Sequence, residues 1–73
     1  MGYTTPKFTI GMTEKDFVFQ NNPAKVLADN RGLTIYRTPN GLQSPYAFFF
    51  FESGKLQRYE EGANMDDYKF MGL

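Results

Sequence analysis

The chain has no cysteine and no histidine. Without them, disulfide bonds and metal sites built on thiolate or imidazole ligands are excluded. The same absences remove the commonest general base and the strongest side-chain nucleophile. We therefore expect a protein that is not an enzyme, with no catalytic residue, no cofactor and no metal. The neighbouring carboxylates of Asp66 and Asp67 are oxygen ligands of the kind that Ca²⁺ prefers, but a solvated acidic terminus explains them better.

A charge excess and a long apolar run are also missing. Eight basic and eight acidic side chains give zero formal charge, which argues against a dedicated nucleic-acid surface. No stretch approaches the ~18–20 apolar residues of a membrane span, and no basic and apolar signal segment opens the chain. We therefore expect no transmembrane segment and no secretory signal in this chain.

The acidic residues are concentrated at the end of the chain, since residues 59–73 hold four acids and one lysine. This tail either stays in solvent or folds back on Arg31, Arg37 and Arg58, and we favour the solvated tail.

The chain is short, with 73 residues, which predicts one domain with a marginal core. Eight phenylalanines and five tyrosines must supply most of that core, or self-association must add to it.

The stretch from Tyr46 to Tyr59 predicts a β-hairpin. An aromatic run is typical of a strand, and alternation places Tyr46, Phe48 and Phe50 on one face and the intervening Ala47, Phe49 and Phe51 on the other. A turn over 52–55 leads into a second strand over 56–60. Because both faces of the first strand are apolar, it is either covered on both sides or leaves one face for a partner.

The remaining elements are shorter. Thr13 fits a helix N-cap, and the helix should end at Asn21-Asn22 because Pro23 follows. Phe17, and with it Ile10, is expected to pack on the sheet. Residues 24–28 and 33–37 predict two strands joined by a turn, with a helix over 24–28 as the competing interpretation. Residues 38–45 predict a loop, and 65–71 predict either a last helical turn or disorder.

These elements predict an α+β fold, in which a short N-terminal helix packs on a three- to four-stranded antiparallel β-meander. The expected domain covers residues 8–62, after a flexible segment over 1–7 and before an acidic C-terminal tail over 63–73.

The order of the motifs resembles a known family. Gly11-Met12-Thr13 resembles the helix start of the SmpA/OmlA (BamE-like) small envelope lipoproteins, and Asn22-Pro23 stands at their usual helix end. Leu33-Thr34-Ile35-Tyr36 resembles their aromatic strand, and Phe48 to Leu56 their closing hairpin, so the similarity covers about 8–62. The resemblance implies a helix on a small antiparallel sheet, as in the related β-lactamase-inhibitor-protein-like fold. It also implies protein binding and a periplasmic or outer-membrane-associated location. The family's lipidated N-terminal cysteine is absent.

The surplus of aromatic residues predicts an exposed binding patch. Tyrosine and arginine are enriched in binding hot spots, and the candidate partner-binding residues are Tyr36, Arg37, Arg58, Tyr59, Gln43 and Tyr46. The expected function is a non-catalytic protein–protein interaction module that binds another protein or, as a homodimer, itself. The alternative is single-stranded nucleic-acid binding through stacked aromatic and arginine side chains, which the neutral charge makes the weaker interpretation.

Overall fold

Four antiparallel strands follow one another across a single sheet in the computed structural model, which describes residues 5–41 and 44–72. In chain order the elements are α1 (Glu14–Asn21), β1 (Ala24–Ala28), β2 (Leu33–Pro39), β3 (Tyr46–Glu52), β4 (Lys55–Gly62) and a 3₁₀ helix (Asp67–Phe70). The spatial order of the strands is β1-β2-β3-β4. The predicted α+β fold, with a short helix and a three- to four-stranded meander, is confirmed, and the number of strands is four.

Helix α1 begins and ends at the predicted signals. The Thr13 hydroxyl accepts a hydrogen bond from the backbone N–H of Asp16 at 3.2 Å, which makes Thr13 the N-cap. The helix ends at Asn21; the next residue, Asn22, is the C-cap, has a left-handed conformation (φ 49°) and donates its N–H to the carbonyl of Val18 before Pro23. Phe17 is the buried residue of the helix, whereas Ile10 is 58% exposed. The expectation that Ile10 packs on the sheet is therefore wrong.

Strand β3 lies at the centre of the sheet and is buried on both faces. One face meets α1, and we call it the helix face; its buried residues are Phe17, Tyr36, Ala47, Phe49, Phe51 and Leu56. The opposite face, which we call the tail face, has a smaller buried cluster of Ile35, Phe48 and Phe50. The alternation that the sequence predicted for β3 is confirmed, and the face of Ala47, Phe49 and Phe51 is the one that meets the helix.

The β3–β4 turn needs only two residues, Ser53 and Gly54. Both have positive φ (53° and 79°), the combination that matches a two-residue hairpin to the twist of its strands. Strand β4 then pairs with β3 from Lys55 onward, with one extra residue at Gln57: Phe51 lies opposite Leu56, but Phe50 lies opposite Arg58. This bulge turns Leu56 to the helix face and Arg58 to the tail face, which plain alternation would not allow.

The C-terminal segment, residues 63–72, folds back on the tail face. Tyr68 packs near Phe48, with ring centroids 5.9 Å apart, and Met71 joins the same cluster. The Arg58 guanidinium donates to the Met71 carbonyl, and that of Arg37 donates to the Met65 carbonyl at 3.4 Å. The preference for a solvated tail is therefore wrong, because the apolar second face of β3 requires a cover. Of the two alternatives expected for residues 65–71, a helical turn or disorder, the structure has a turn, the 3₁₀ helix Asp67–Phe70.

Several boundaries also differ from the sequence expectations, and β4 covers Lys55–Gly62 instead of 56–60. Strand β2 continues to Pro39, so the loop before β3 begins at residue 40. Lys7 is tied to the end of α1, because its N–H donates to the Asn21 side chain and its carbonyl accepts from it, both at 2.8 Å. The strand over 24–28 is confirmed in place of the competing helix.

Candidate protein-docking groove

The residues expected to form one patch lie on the two faces of the sheet. Tyr36 and Tyr59 lie on the helix face, where they pack with Phe17 and Phe8. Arg37, Arg58 and Tyr46 lie on the tail face, because strand neighbours point to opposite sides. Gln43 lies outside the described residues. The described candidate residues therefore do not form the single contiguous surface that was expected.

On the tail face the two arginines already have intramolecular contacts. Arg37 lies 5.7 Å from the ring centroid of Tyr46, and Arg58 lies 4.3 Å from that of Phe50. Arg58 Nε also forms an ion pair with Glu60 at 3.0 Å, although its N–H does not point at the carboxylate and makes no hydrogen bond. Together with their bonds to the C-terminal segment, these contacts indicate a role in holding that segment.

On the helix face the two tyrosines donate hydrogen bonds to carboxylates. The Tyr36 hydroxyl donates to Glu14 at 2.5 Å, and the Tyr59 hydroxyl donates to Glu61 at 2.6 Å. Burial, followed by the neighbouring carboxylate, raises the pKa of Tyr36 above its usual value and that of Tyr59 to about 12. The hydrogen bond from Tyr59 lowers the pKa of Glu61. Tyr36 thereby fixes the first turn of α1 to strand β2.

A groove opens beside α1, between the helix, Tyr36 of β2 and the β3–β4 turn. We call it the helix-side groove; it is lined by Thr13, Glu14, Lys15, Val18, Phe19, Tyr36 and Gly54. Phe19 is 89% exposed and Val18 37% exposed at its helix wall. Only the edge of Tyr36 reaches the groove, since this residue is 5% exposed. The arrangement offers an apolar wall next to the Glu14 carboxylate and the Tyr36 hydroxyl, which suits the docking of a side chain.

No motif in the sequence marked Val18 or Phe19 as a binding residue. A signal for Phe19 was present, because residues two apart in an α-helix point about 200° from each other at 3.6 residues per turn. Once Phe17 faces the sheet, Phe19 must face solvent. An exposed phenylalanine on a two-turn helix is therefore readable from the sequence, but only after the buried side of α1 is assigned.

A second hollow lies between Arg31 of the β1–β2 turn and Arg58 of β4; it is lined by Arg31, Leu33, Phe50, Glu52, Ser53, Gln57, Arg58 and Gly72. Its cations are already bound: Arg31 pairs with Asp29 at 2.7 Å and Arg58 bonds the C-terminal segment. In the part of the chain that the structure describes, no group of three or more carboxylates is placed to hold a metal ion.

The Asp67 carboxylate accepts the backbone N–H groups of Ala63 and Asn64, at 2.9 and 3.1 Å. Its partners are therefore the backbone at the start of the C-terminal segment.

Within residues 5–41 and 44–72, the helices lack the length and hydrophobicity that crossing a membrane requires. Comparisons with protein-family models, with curated proteins and with solved structures found no match to the chain.

Proposed function

We propose that this chain is a non-catalytic protein–protein interaction module that docks its partner at the helix-side groove. The observation that carries the proposal is the exposure of Phe19 next to Val18 and the groove. Exposing an aromatic side chain of that size to water is unfavourable, and contiguous exposed apolar surface marks interaction sites on soluble domains. A rigid aromatic side chain beside a groove is also the typical form of a binding hot spot.

The resemblance to the SmpA/OmlA small lipoproteins supports a proposal on cellular role. The residues that carry it lie in three places: Gly11-Met12-Thr13 at the start of α1, Asn22-Pro23 at its end, and Phe48 to Leu56 in the β3–β4 hairpin. We propose on this basis that the chain resembles an envelope lipoprotein domain and is periplasmic or outer-membrane-associated. Fractionation of the cells that produce it, followed by immunodetection, checks the location.

The nucleic-acid alternative has less support. Stacking requires aromatic rings that bases can reach. Phe49 is fully buried, Tyr36 is nearly so, and Tyr59 stacks on Phe8 with ring centroids 4.6 Å apart. Saturable, salt-sensitive binding of a labelled oligo(dT) would favour the alternative.

The test of the proposal is a selection of binding peptides on the folded chain. A phage-displayed random-peptide library is selected on the wild type, and the enriched peptides are measured on Phe19→Ser and Phe70→Ser by fluorescence polarisation. Phe70 is the matched control, because it is 84% exposed but lies in the 3₁₀ helix on the opposite side of the sheet.

We expect Phe19→Ser to weaken the selected peptides about tenfold or more, as for the loss of a hot-spot aromatic, and Phe70→Ser to leave them unchanged. A library that yields no peptide specific to the folded chain contradicts the interaction function. Peptides that bind equally well to both variants contradict the groove as the docking site.

A further inference from the structure

The two edges of the sheet differ in how far they are covered. On the β4 edge, the segment before α1 pairs with the strand: Gly11 N–H bonds the Leu56 carbonyl at 2.7 Å, and Leu56 N–H bonds the Met12 carbonyl at 2.9 Å. On the β1 edge, the described residues form no backbone hydrogen bond to the outer side of Ala24–Ala28. Unpaired backbone groups along a strand are a template for pairing with another chain.

The open edge lies beside the helix-side groove. Tyr36 of β2 forms part of the groove and pairs with Lys25 of β1, so both side chains point to the helix face. In a strand added next to β1, every second side chain would point to this same face. Such side chains would lie on the same side of the sheet as Val18 and Phe19, while the backbone pairs with β1. Strand addition of this kind combines main-chain affinity with side-chain specificity.

The charge at this edge distinguishes between possible occupants. Lys25 is the one charged residue of β1, and its Nζ lies 5.9 Å from the ring centroid of Tyr36. The ion pairs found among the described residues are Arg31–Asp29 and Arg58–Glu60, so Lys25 forms no ion pair with a described carboxylate. An added strand with a carboxylate on the helix face would supply that partner, and opposite charges across two strands attract.

A second copy of the chain fits this edge poorly. Antiparallel pairing of two β1 strands about Val26 brings two Lys25 side chains onto one face and supplies no carboxylate. A lysine on an edge strand discourages pairing between copies, while an acidic partner strand is attracted by the same lysine.

We propose that β1 receives an extended, acidic segment of a partner protein by strand addition, with a carboxylate opposite Lys25 and an apolar side chain in the helix-side groove. This inference rests on the proposed interaction function and names the surface and the chemistry of the partner.

The test uses designed peptides on the whole chain. The probe is a fluorescein-labelled peptide, Thr-Leu-Thr-Glu-Thr-Leu-Thr, which presents glutamate and leucine on one face of an extended strand. The matched peptide has lysine in place of glutamate. Both are titrated against the wild type, Lys25→Glu and Lys69→Glu by fluorescence polarisation. Lys69→Glu is the control, because it makes the same charge change in the exposed 3₁₀ helix.

We expect the glutamate peptide to bind the wild type saturably. Lys25→Glu should weaken it about three- to tenfold, as expected for losing one cross-strand charge pair and adding a repulsion, and should favour the lysine peptide instead. Lys69→Glu should change neither. Amide hydrogen exchange followed by NMR should show slower exchange within residues 24–28 when the glutamate peptide is bound, because strand addition pairs that backbone.

Three results would overturn the inference: no saturable binding of either peptide, binding that Lys25→Glu does not change, or binding without protection of the β1 amides. Sedimentation of the chain alone supplies a fourth, since a dimer with protected β1 amides would mean that a second copy occupies the edge. A last outcome is that library peptides require Phe19 for binding but do not slow amide exchange in β1. That result would overturn strand addition but would leave the proposed interaction function standing.

Discussion

At the scale of single residues, Phe49 and Phe19 are the same side chain in opposite surroundings. Phe49 is fully buried and packs against Phe8, Phe17 and Tyr59, with ring centroids 4.5 to 5.2 Å away, whereas Phe19 is exposed at the groove. We expect Phe49→Ala to lower the free energy of unfolding by about 3–5 kcal/mol, because it leaves a cavity in the core. Phe19→Ala should change it by less than about 0.5 kcal/mol. Urea unfolding followed by circular dichroism measures both.

A loss of this size can unfold a domain with so small a core. Phe49→Leu, which keeps most of the volume, should therefore be measured as well, and should give a folded protein of intermediate stability. Equal stabilities for Phe49→Leu, Phe19→Ala and the wild type would contradict the central position of Phe49. Phe19→Ala separates stability from binding, since it should weaken the groove without weakening the fold.

At the scale of elements, the C-terminal segment depends on a close approach at Gly62. A Cβ placed there would lie 2.9 Å from the Asp67 side chain and 2.9 Å from the ring of Phe48. We therefore expect Gly62→Ala to push the segment away from the tail face and to lower the free energy of unfolding by about 1–3 kcal/mol, as overpacking does. Limited trypsin digestion should cleave after Lys69 faster than in the wild type, because a released 3₁₀ helix fits the protease.

Phe19→Ala serves as the reference for this experiment, since its side chain lies on the other side of the sheet. If Gly62→Ala has the same free energy of unfolding and the same rate of trypsin cleavage as Phe19→Ala, the close packing between strand β4 and the C-terminal segment is contradicted. If it loses stability with no faster cleavage, the strain is absorbed by Phe48 and the segment stays in place.

The helix, the four strands and the central position of β3 follow from local signals in the sequence. A capping threonine, a proline after an asparagine, and an aromatic run before a glycine turn each act within a few residues. The placement of the site residues depends on longer-range geometry. The bulge at Gln57 places Leu56 and Arg58 on opposite faces of the sheet, and no residue type in that strand predicts the bulge. Tyr36 and Arg37 could have been separated from the sequence, since neighbours on a strand always point apart.

The C-terminal segment was harder to predict, because the four acids of residues 59–73 indicate solvation and only the uncovered face of β3 indicates docking. Its acidic side chains stay at the surface or cap its own backbone, while Tyr68 and Met71 make the contact. In this segment the charged residues and the residues that pack on the sheet are therefore different ones.

At the scale of the whole molecule, the helix-face tyrosines make stability depend on alkaline pH. The pKa of Tyr59 is raised to about 12 by burial and by the Glu61 carboxylate, and that of Tyr36 is raised too. An unfolded tyrosine ionises near pH 10, so between about pH 10 and 12 the unfolded chain binds fewer protons than the folded one. The stabilisation is therefore complete below about pH 10 and is lost as the pH rises.

We expect the free energy of unfolding, measured in urea at a series of pH values from about 9 to 12, to decline above about pH 10. Tyr59→Phe keeps the ring that stacks on Phe8 but removes the ionisable hydroxyl, so its decline should be shallower than that of the wild type, with Tyr36 supplying what remains. A wild-type stability that stays flat over this range would contradict the raised pKa values. Identical slopes for the wild type and Tyr59→Phe would mean that the pKa of Tyr59 is the same in the folded and the unfolded chain. The hydrogen bond from Tyr59 to Glu61 would then make no contribution to the pH dependence of stability.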